Sequence, residues 1–148
     1  MAALAWMLEE NTRLFYTGLI GMRPGTTEAS LFEKLVDAEE HHKATLSEVH
    51  RKLSSEPIER FRLQQVHPVI EGGVSMEEVL SWAQDKPLRK ILAYAMGFEA
   101  NAYDRYLKMY NIAESDDAKA VFKTIGIEEK GHLRKLGGLL DQEVGKAI

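Results

Sequence analysis

Apolar residues recur at intervals of three, four or seven along most of the chain, which is the spacing of one face of an α-helix. The pattern predicts four long helices, over residues 2–20, 28–53, 87–110 and 118–144. A stretch rich in Gly, Pro and Thr, residues 21–27, separates the first two, and a short polar loop separates the last two. Because each glycine weakens a helix, we expect the last helix to be loosened at its four internal glycines.

Residues 55–86 follow a different pattern, with scattered apolar positions and a glycine pair. A Ser-x-x-Glu capping box at Ser75 predicts a short helix over 76–83 within a long connection. Short loops produce antiparallel neighbours, and one long crossover between two helix pairs is typical of ferritin-like bundles. The sequence therefore predicts an all-α protein, a ferritin-like antiparallel four-helix bundle with a long crossover connection between helices 2 and 3. We expect residues 1–148 to form a single domain.

The two halves of the chain repeat each other at an offset of 90 positions, without a gap. The matched pairs are Glu9 and Glu99, Tyr16 and Tyr106, Phe32 and Phe122, Glu39 and Glu129, His42 and His132, and Leu46 and Leu136. Because His occupies only 5 of 148 positions, a matched His pair beside matched glutamates is not expected by chance. Each half therefore reads Glu-x6-Tyr on one helix and Glu-x-x-His on the next.

This spacing has a chemical meaning. Residues three apart lie on one face of a helix, so the Glu and His of each Glu-x-x-His reach one point. Four carboxylates in one core would repel and would be costly to desolvate, whereas two divalent cations compensate them. Helix bundles use this set, one Glu from each of two helices and Glu-x-x-His from each of the other two. The predicted metal ligands are Glu9, Glu39, His42, Glu99, Glu129 and His132.

Composition narrows the chemistry further. The chain has no cysteine, which excludes disulfides, thiolate nucleophiles and iron–sulfur ligation. Carboxylate and imidazole ligands suit iron or manganese and tolerate zinc. The net charge of −4 argues against a nucleic-acid surface. No apolar run is long enough to span a membrane, and the amino terminus lacks the basic region of a signal peptide, so we expect a cytoplasmic protein.

The stretches LEENTRLFY, DAEEHH, GFEANAYDRY and IEEKGH resemble the rubrerythrin family in its ferritin-like di-iron domain. The resemblance covers nearly the whole chain. It implies two iron ions and a peroxidase-type oxidoreductase that reduces peroxide or O2 with electrons from an external donor such as a rubredoxin. In such an enzyme Tyr16 and Tyr106 would orient carboxylates or donate protons. The resemblance also suggests a homodimer.

Two departures from the family pattern matter. Rubrerythrins usually end in a Cys-rich rubredoxin domain, and a chain without cysteine lacks this one-electron relay. The peroxide-reducing members carry an extra Glu one turn after the third-helix ligand, where this chain has Ala102. Some relatives are fused to sulfurtransferase domains. A non-catalytic role in iron binding or storage, an accessory domain of a larger protein and a bundle that binds zinc structurally therefore remain as alternatives.

Other polar residues near the proposed ligands have a simpler interpretation. Glu10, Glu40 and Glu128 are predicted to be surface charges, because their repeat partners are not acidic. Of the three, Glu128 also shares a helix face with a proposed ligand, because it lies four residues before His132. The remaining histidines are predicted not to bind metal: His41, His50 and His67.

Overall fold

The computed structural model describes residues 1–53, 58 and 74–146. Its helices are α1 (Ala2–Met22), α2 (Thr27–Leu53), α3 (Met76–Ala83), α4 (Leu88–Ile112) and α5 (Asp116–Lys146). The predicted all-α, ferritin-like bundle is confirmed. Helix α1 packs along α2 and α4 packs along α5, while α2 also contacts α5. The remaining part of the crossover, including the glycine pair and His67, lies outside the described residues.

The turn between α1 and α2 brings the chain back on itself within four residues. Gly25 has a φ of 74°, in the left-handed region that a glycine adopts at little cost. The hydroxyl of Thr26 accepts a hydrogen bond of 3.2 Å from the Ala29 N–H and so caps the start of α2. This turn makes α1 and α2 antiparallel neighbours, as their short connection predicted.

The short helix α3 covers the residues predicted for it and packs against α1. A Cβ atom at Gly18 would lie 2.7 Å from Leu80 Cδ2, so any larger residue there would displace the Leu80 side chain. The predicted capping box is wrong, because the Ser75 side chain makes no capping hydrogen bond. Instead, the Ser75 carbonyl accepts a 3.1 Å bond from the Val79 N–H. Backbone bonding and the burial of Val79 are enough to start the helix here.

Helix α5 runs unbroken along its whole length, so the predicted loosening at its glycines is wrong. Gly126 is buried, and a Cβ there would meet the Tyr106 side chain at ordinary contact distance, 3.5 Å. Phe122, Ile125 and Leu136 are also buried along the inner face of α5. Helices in proteins take most of their stability from such packing, which here outweighs a glycine penalty of about 1 kcal/mol per residue.

The buried apolar residues form two groups, one toward each end of the bundle, and both groups draw on α1, α2, α4 and α5. The Tyr16 core includes Phe15, Tyr16, Phe32, Leu35, Ile91, Leu92, Phe98 and Leu136. The Tyr106 core includes Trp6, Leu46, Tyr106, Met109, Phe122 and Ile125, together with Ile58 of the crossover. On each of the four helices, the predicted metal ligands lie between a residue of one core and a residue of the other.

None of the described helices is both long and apolar enough to cross a membrane.

Candidate metal centre

The six predicted ligands converge in the middle of the bundle, and each of their side chains is at most 6% exposed. They form two overlapping groups in which one ligand atom from each residue lies within 4.8 Å of the others. The His42 position consists of Glu9, Glu39, His42 and Glu129. The His132 position consists of Glu39, Glu99, Glu129 and His132. Glu39 and Glu129 belong to both positions, so one carboxylate from each Glu-x-x-His faces both.

Several of these buried atoms have no hydrogen-bond partner within the described part of the chain. They are both carboxylate oxygens of Glu39, together with Glu129 Oε1 and His42 Nδ1, which lie 3.0 Å apart as an ion pair without hydrogen-bond geometry. A buried charged or polar group without a partner is costly, unless a cation takes the place of the missing donor. The atoms left open are oxygens and one imidazole nitrogen, which are the ligands that iron, manganese and zinc accept. The residues present therefore fit two divalent metal ions.

Two tyrosines reach the site from opposite halves of the chain. The Tyr16 hydroxyl on α1 donates to Glu99 Oε1 on α4 at 2.6 Å. In the mirrored contact the Tyr106 hydroxyl on α4 donates to Glu9 Oε1 on α1. Burial, followed by the charge of the neighbouring carboxylate, raises the pKa of both tyrosines well above its usual value. Both hydroxyls therefore stay protonated and hold their carboxylates in place, while a catalytic role for them stays a prediction.

Without metal, protons occupy part of the site. Burial and the neighbouring Glu129 carboxylate raise the pKa of Glu99 to about 8, so it is largely protonated at neutral pH. Burial alone would lower the pKa of both histidines. Contacts with Glu129 and Glu9 instead raise the pKa of His42 to about 11. Contacts with Glu129 and Glu99 raise the pKa of His132 to about 9. The imidazolium groups thus balance carboxylate charge that cations would otherwise balance.

Glu129 behaves in the opposite way from Glu99. Burial and the Glu9 charge raise its pKa, but contacts with Glu99, His132 and His42 outweigh them and hold the pKa of Glu129 below its usual value. Glu129 Oε1 lies 3.0 Å from His42 Nδ1, and Glu129 Oε2 lies 3.3 Å from His132 Nδ1. This carboxylate therefore stays ionised between the two imidazoles and faces both positions.

Glu10 was predicted to be a surface charge, and this prediction is wrong. Its side chain is buried and forms ion pairs with Arg13 at 2.8 Å and with Lys43 of α2 at 2.6 Å. Burial raises the pKa of Glu10, but the hydrogen bonds from Arg13 and Lys43 outweigh it and lower that pKa to about 2. Glu40 pairs with the same two cations but is exposed, as predicted. The contact between α1 and α2 thus buries Glu10, a residue that the repeat did not identify because its partner position is not acidic.

Glu128 is only half exposed, and its predicted role as a surface charge is incomplete. Its Oε2 lies 2.6 Å from Nε2 of His42, which belongs to α2. Glu128 shares a helix face with His132, but its carboxylate contacts the histidine of the neighbouring helix α2 instead. His41 is exposed, as predicted, and among the described residues His50 belongs to neither metal position.

Arg105 is a residue at the site that sequence reasoning missed. Its Nη2 lies 3.3 Å from Glu9 Oε1, and its guanidinium lies 4.7 Å from the centre of the Tyr106 ring. The repeat gave no signal, because the matching position in the first half is Phe15. The remaining signal in the sequence was that Arg105 directly precedes Tyr106, on the same helix as the proposed ligand Glu99.

The rubrerythrin family model matches residues 3–140. The chain belongs to the rubrerythrin family. No significant match was found among curated proteins or solved structures. Membership implies di-iron binding, and the two groups of buried glutamates and histidines are the place where this rubrerythrin could hold metal. Ala102, where peroxide-reducing members were expected to carry a glutamate, is buried one turn after Glu99 on α4.

Proposed function

We propose that this rubrerythrin holds two iron ions and reduces peroxide or O2 with electrons from an external donor such as a rubredoxin. The observation that carries the proposal is the pair of overlapping four-residue groups, in which buried oxygens of Glu39 and Glu129 have no hydrogen-bond partner among the described residues. Two ferrous ions side by side would together supply the two electrons that cleavage of one O–O bond requires. Manganese or zinc are possible substitutes by ligand chemistry.

The residues of the chain contribute position, protons and the exclusion of water. Glu39 and Glu129 face both positions and would each hold both metals. Tyr16 donates a hydrogen bond to one carboxylate oxygen of Glu99, and Tyr106 donates one to an oxygen of Glu9. The other oxygen of each carboxylate is then available for metal. The Tyr16 and Tyr106 cores close the site at both ends, because their side chains are packed and buried.

Reduction of one hydrogen peroxide molecule to two water molecules consumes two electrons and two protons. In this proposal Tyr16 and Tyr106, whose hydroxyls are hydrogen-bonded to Glu99 and Glu9, orient these carboxylates or donate protons. The electrons must be renewed from outside this domain, since the chain contains no cysteine to hold an iron–sulfur or rubredoxin-type relay. We therefore expect one turnover per loaded site without a donor.

The test combines metal analysis with one kinetic experiment. Protein purified without added metal is analysed for iron, manganese and zinc, and then loaded anaerobically with two equivalents of Fe(II). Mixing with one equivalent of peroxide should convert the iron to the ferric state and consume the peroxide. A reduced rubredoxin with excess peroxide should then give steady turnover. Loaded protein that reacts with neither peroxide nor O2 would contradict the redox proposal.

A second candidate is a non-catalytic role in iron binding or storage, or as an accessory domain of a larger, for example sulfurtransferase-fused, protein. The alanine at position 102 favours it, because the carboxylate of the peroxide-reducing members is missing there. Iron uptake without donor-dependent turnover would identify this role, and zinc alone in the purified protein would identify a structural site.

We also propose that the protein is a homodimer. Light scattering coupled to size-exclusion chromatography measures its oligomeric state.

A further inference from the structure

The two histidines of the metal centre differ in what lies behind them. His42 directs Nδ1 toward the centre, where it lies 3.0 Å from Glu129 Oε1 and 3.5 Å from Glu9 Oε2. Its other nitrogen, Nε2, faces away from the centre and lies 2.6 Å from Glu128 Oε2. His42 is fully buried, whereas the Glu128 side chain is 40% exposed. A carboxylate at the edge of the bundle thus reaches the rear of a buried imidazole.

This contact decides which nitrogen is free for metal. A neutral imidazole has one N–H donor and one acceptor nitrogen, and a metal takes the acceptor. A carboxylate is only an acceptor, so the His42 nitrogen that faces Glu128 must carry the hydrogen. The lone pair is then on Nδ1, which faces the centre. A carboxylate behind a ligating histidine also fixes the orientation of the ring and raises its basicity as a ligand.

The other half of the chain lacks the equivalent residue. The repeat offset that pairs His42 with His132 pairs Glu128 with Ala38, which has no polar side chain. Within the described residues, the carboxylates in contact with His132 are Glu99 and Glu129, and both approach Nδ1 rather than Nε2. The two rings stack with centroids 5.8 Å apart, so the backing carboxylate distinguishes two histidines that lie side by side.

We propose that Glu128 is a positioning residue that fixes the His42 ring and its Nδ1 lone pair, and so makes the His42 position the tighter of the two metal positions. The proposal rests on the metal centre put forward as the proposed function and adds an order of occupancy to it. Removal of a comparable carboxylate partner in other metal sites weakens metal binding about 10- to 100-fold.

The experiment uses Zn(II), which is diamagnetic, as the probe. Metal-free wild type, Glu128→Ala and Glu128→Gln are titrated by calorimetry. Glutamine keeps an oxygen that accepts from Nε2–H, so Glu128→Gln should retain most of the affinity that Glu128→Ala loses. The matched control is Glu143→Gln, which removes the same charge from a partly exposed carboxylate of the same helix, paired with Lys146. Because Glu128 lines a solvent-facing groove of about 210 Å³ between α2 and α5, both variants should fold.

In wild type we expect two unequal Zn(II) affinities. In Glu128→Ala the tighter one should weaken about 10- to 100-fold, while Glu143→Gln should leave both unchanged. Nitrogen-15 NMR of histidine-labelled, zinc-loaded protein should show His42 with hydrogen on Nε2, and a loss of that single tautomer in Glu128→Ala. Two Zn(II) bound with unchanged affinities and an unchanged His42 spectrum in Glu128→Ala would overturn the role of Glu128 alone. Wild type that binds no Zn(II), Fe(II) or Mn(II) would overturn the metal centre itself.

Discussion

The two halves of the chain supply equal sets of ligands and unequal surroundings. Each gives a glutamate from one helix, Glu-x-x-His from the next, and a tyrosine for the opposite half. The first half adds the buried Glu10 and its ion pairs with Arg13 and Lys43, whereas the matching position of Glu10 in the second half is Ala100. Around the ligands, Arg105 and Tyr106 both lie beside Glu9, whereas Glu99 accepts a hydrogen bond from the Tyr16 hydroxyl.

The difference shows that a repeat can keep the same proposed metal ligands in both halves while the residues that surround those ligands differ. The matched aromatic and apolar residues keep the ligands at one height in the bundle, because Phe32 and Phe122 lie against Tyr16 and Tyr106 respectively. The charged residues on the outer side of the site, Glu128 and Arg105, have no counterparts across the repeat. We therefore expect two metal positions of similar composition but different affinity.

The largest effect is expected from removing a ligand that both positions share. Glu39→Ala should abolish binding at both positions, whereas Glu99→Ala should remove the His132 position and leave the other weakened. A metal present at about 1,000 times its Kd stabilises the fold by about 4 kcal/mol, or roughly 10 °C in Tm for a chain of this size. Chelation should thus lower the Tm of wild type strongly, that of Glu99→Ala less, and that of Glu39→Ala hardly at all. Equal metal stoichiometry in the two variants would contradict the shared role of Glu39.

The next effect is a dependence of the metal-free protein on pH. The pKa values of His42, His132 and Glu99 are raised in the fold, to about 11, 9 and 8, so the folded state holds these protons more tightly than the unfolded chain. Their stabilisation is complete below the unfolded pKa values and is lost as pH rises through the folded ones. Between about pH 6 and pH 9 the free energy of unfolding should fall by several kcal/mol, at about 1.4 kcal/mol per pKa unit.

The pH effect should distinguish the two positions and depend on metal. The His132 position contains two groups with a raised pKa, Glu99 and His132, whereas the other position contains only His42, so the His132 position should account for the larger share of the change below about pH 9. Metal-loaded protein should lack this slope, because cations replace the protons. Thermal unfolding by circular dichroism, with and without a chelator, measures both slopes. The same slope in the loaded and metal-free proteins would count against proton occupation of the site.

A smaller effect is expected from adding a carboxylate to one half only. Ala102→Glu places one on the buried face of α4, one turn after Glu99. It should speed the reaction of the di-ferrous protein with peroxide by about tenfold, which corresponds to about 1.4 kcal/mol in the barrier. Stopped-flow mixing with one equivalent of peroxide measures the rate. Asn101→Glu is the control, because it adds the same charge at an exposed neighbouring position and should leave the rate unchanged.

The smallest effect should separate the two tyrosines. A hydrogen bond to a charged group contributes about 1.5–3 kcal/mol, and Tyr16→Phe removes such a bond from Glu99. Tyr106→Phe removes one from Glu9, which keeps the nearby Arg105. Zn(II) titration should therefore show a greater loss for Tyr16→Phe, with a difference between the variants of about 1 kcal/mol. A greater loss in Tyr106→Phe would reverse the comparison.

The sequence predicted the helices and the meeting of the six proposed ligands because both depend on periodicity along the chain. It placed α3 at its observed residues and put Glu39 beside His42 correctly. It was wrong on Glu10 and incomplete on Glu128, because Lys43, which pairs with Glu10, and His42, which contacts Glu128, each belong to another helix. Which residues meet across two helices depends on how each helix is rotated about its axis, and neither spacing nor the repeat records that angle. The predicted loosening of α5 at its glycines was wrong for a similar reason, since the packing of Gly126 against Tyr106 is a tertiary contact.

The reciprocal tyrosine contacts have a consequence for symmetry. Tyr16 of the first half donates to Glu99 of the second, and Tyr106 of the second donates to Glu9 of the first. This is the relation found in an isologous interface, where one surface patch meets a copy of itself about a two-fold axis. One helical hairpin alone would expose its apolar face and leave its tyrosine without an acceptor. It would complete a metal position by pairing with a second hairpin, so the bundle has the geometry of a two-fold dimer whose chains are joined by the crossover.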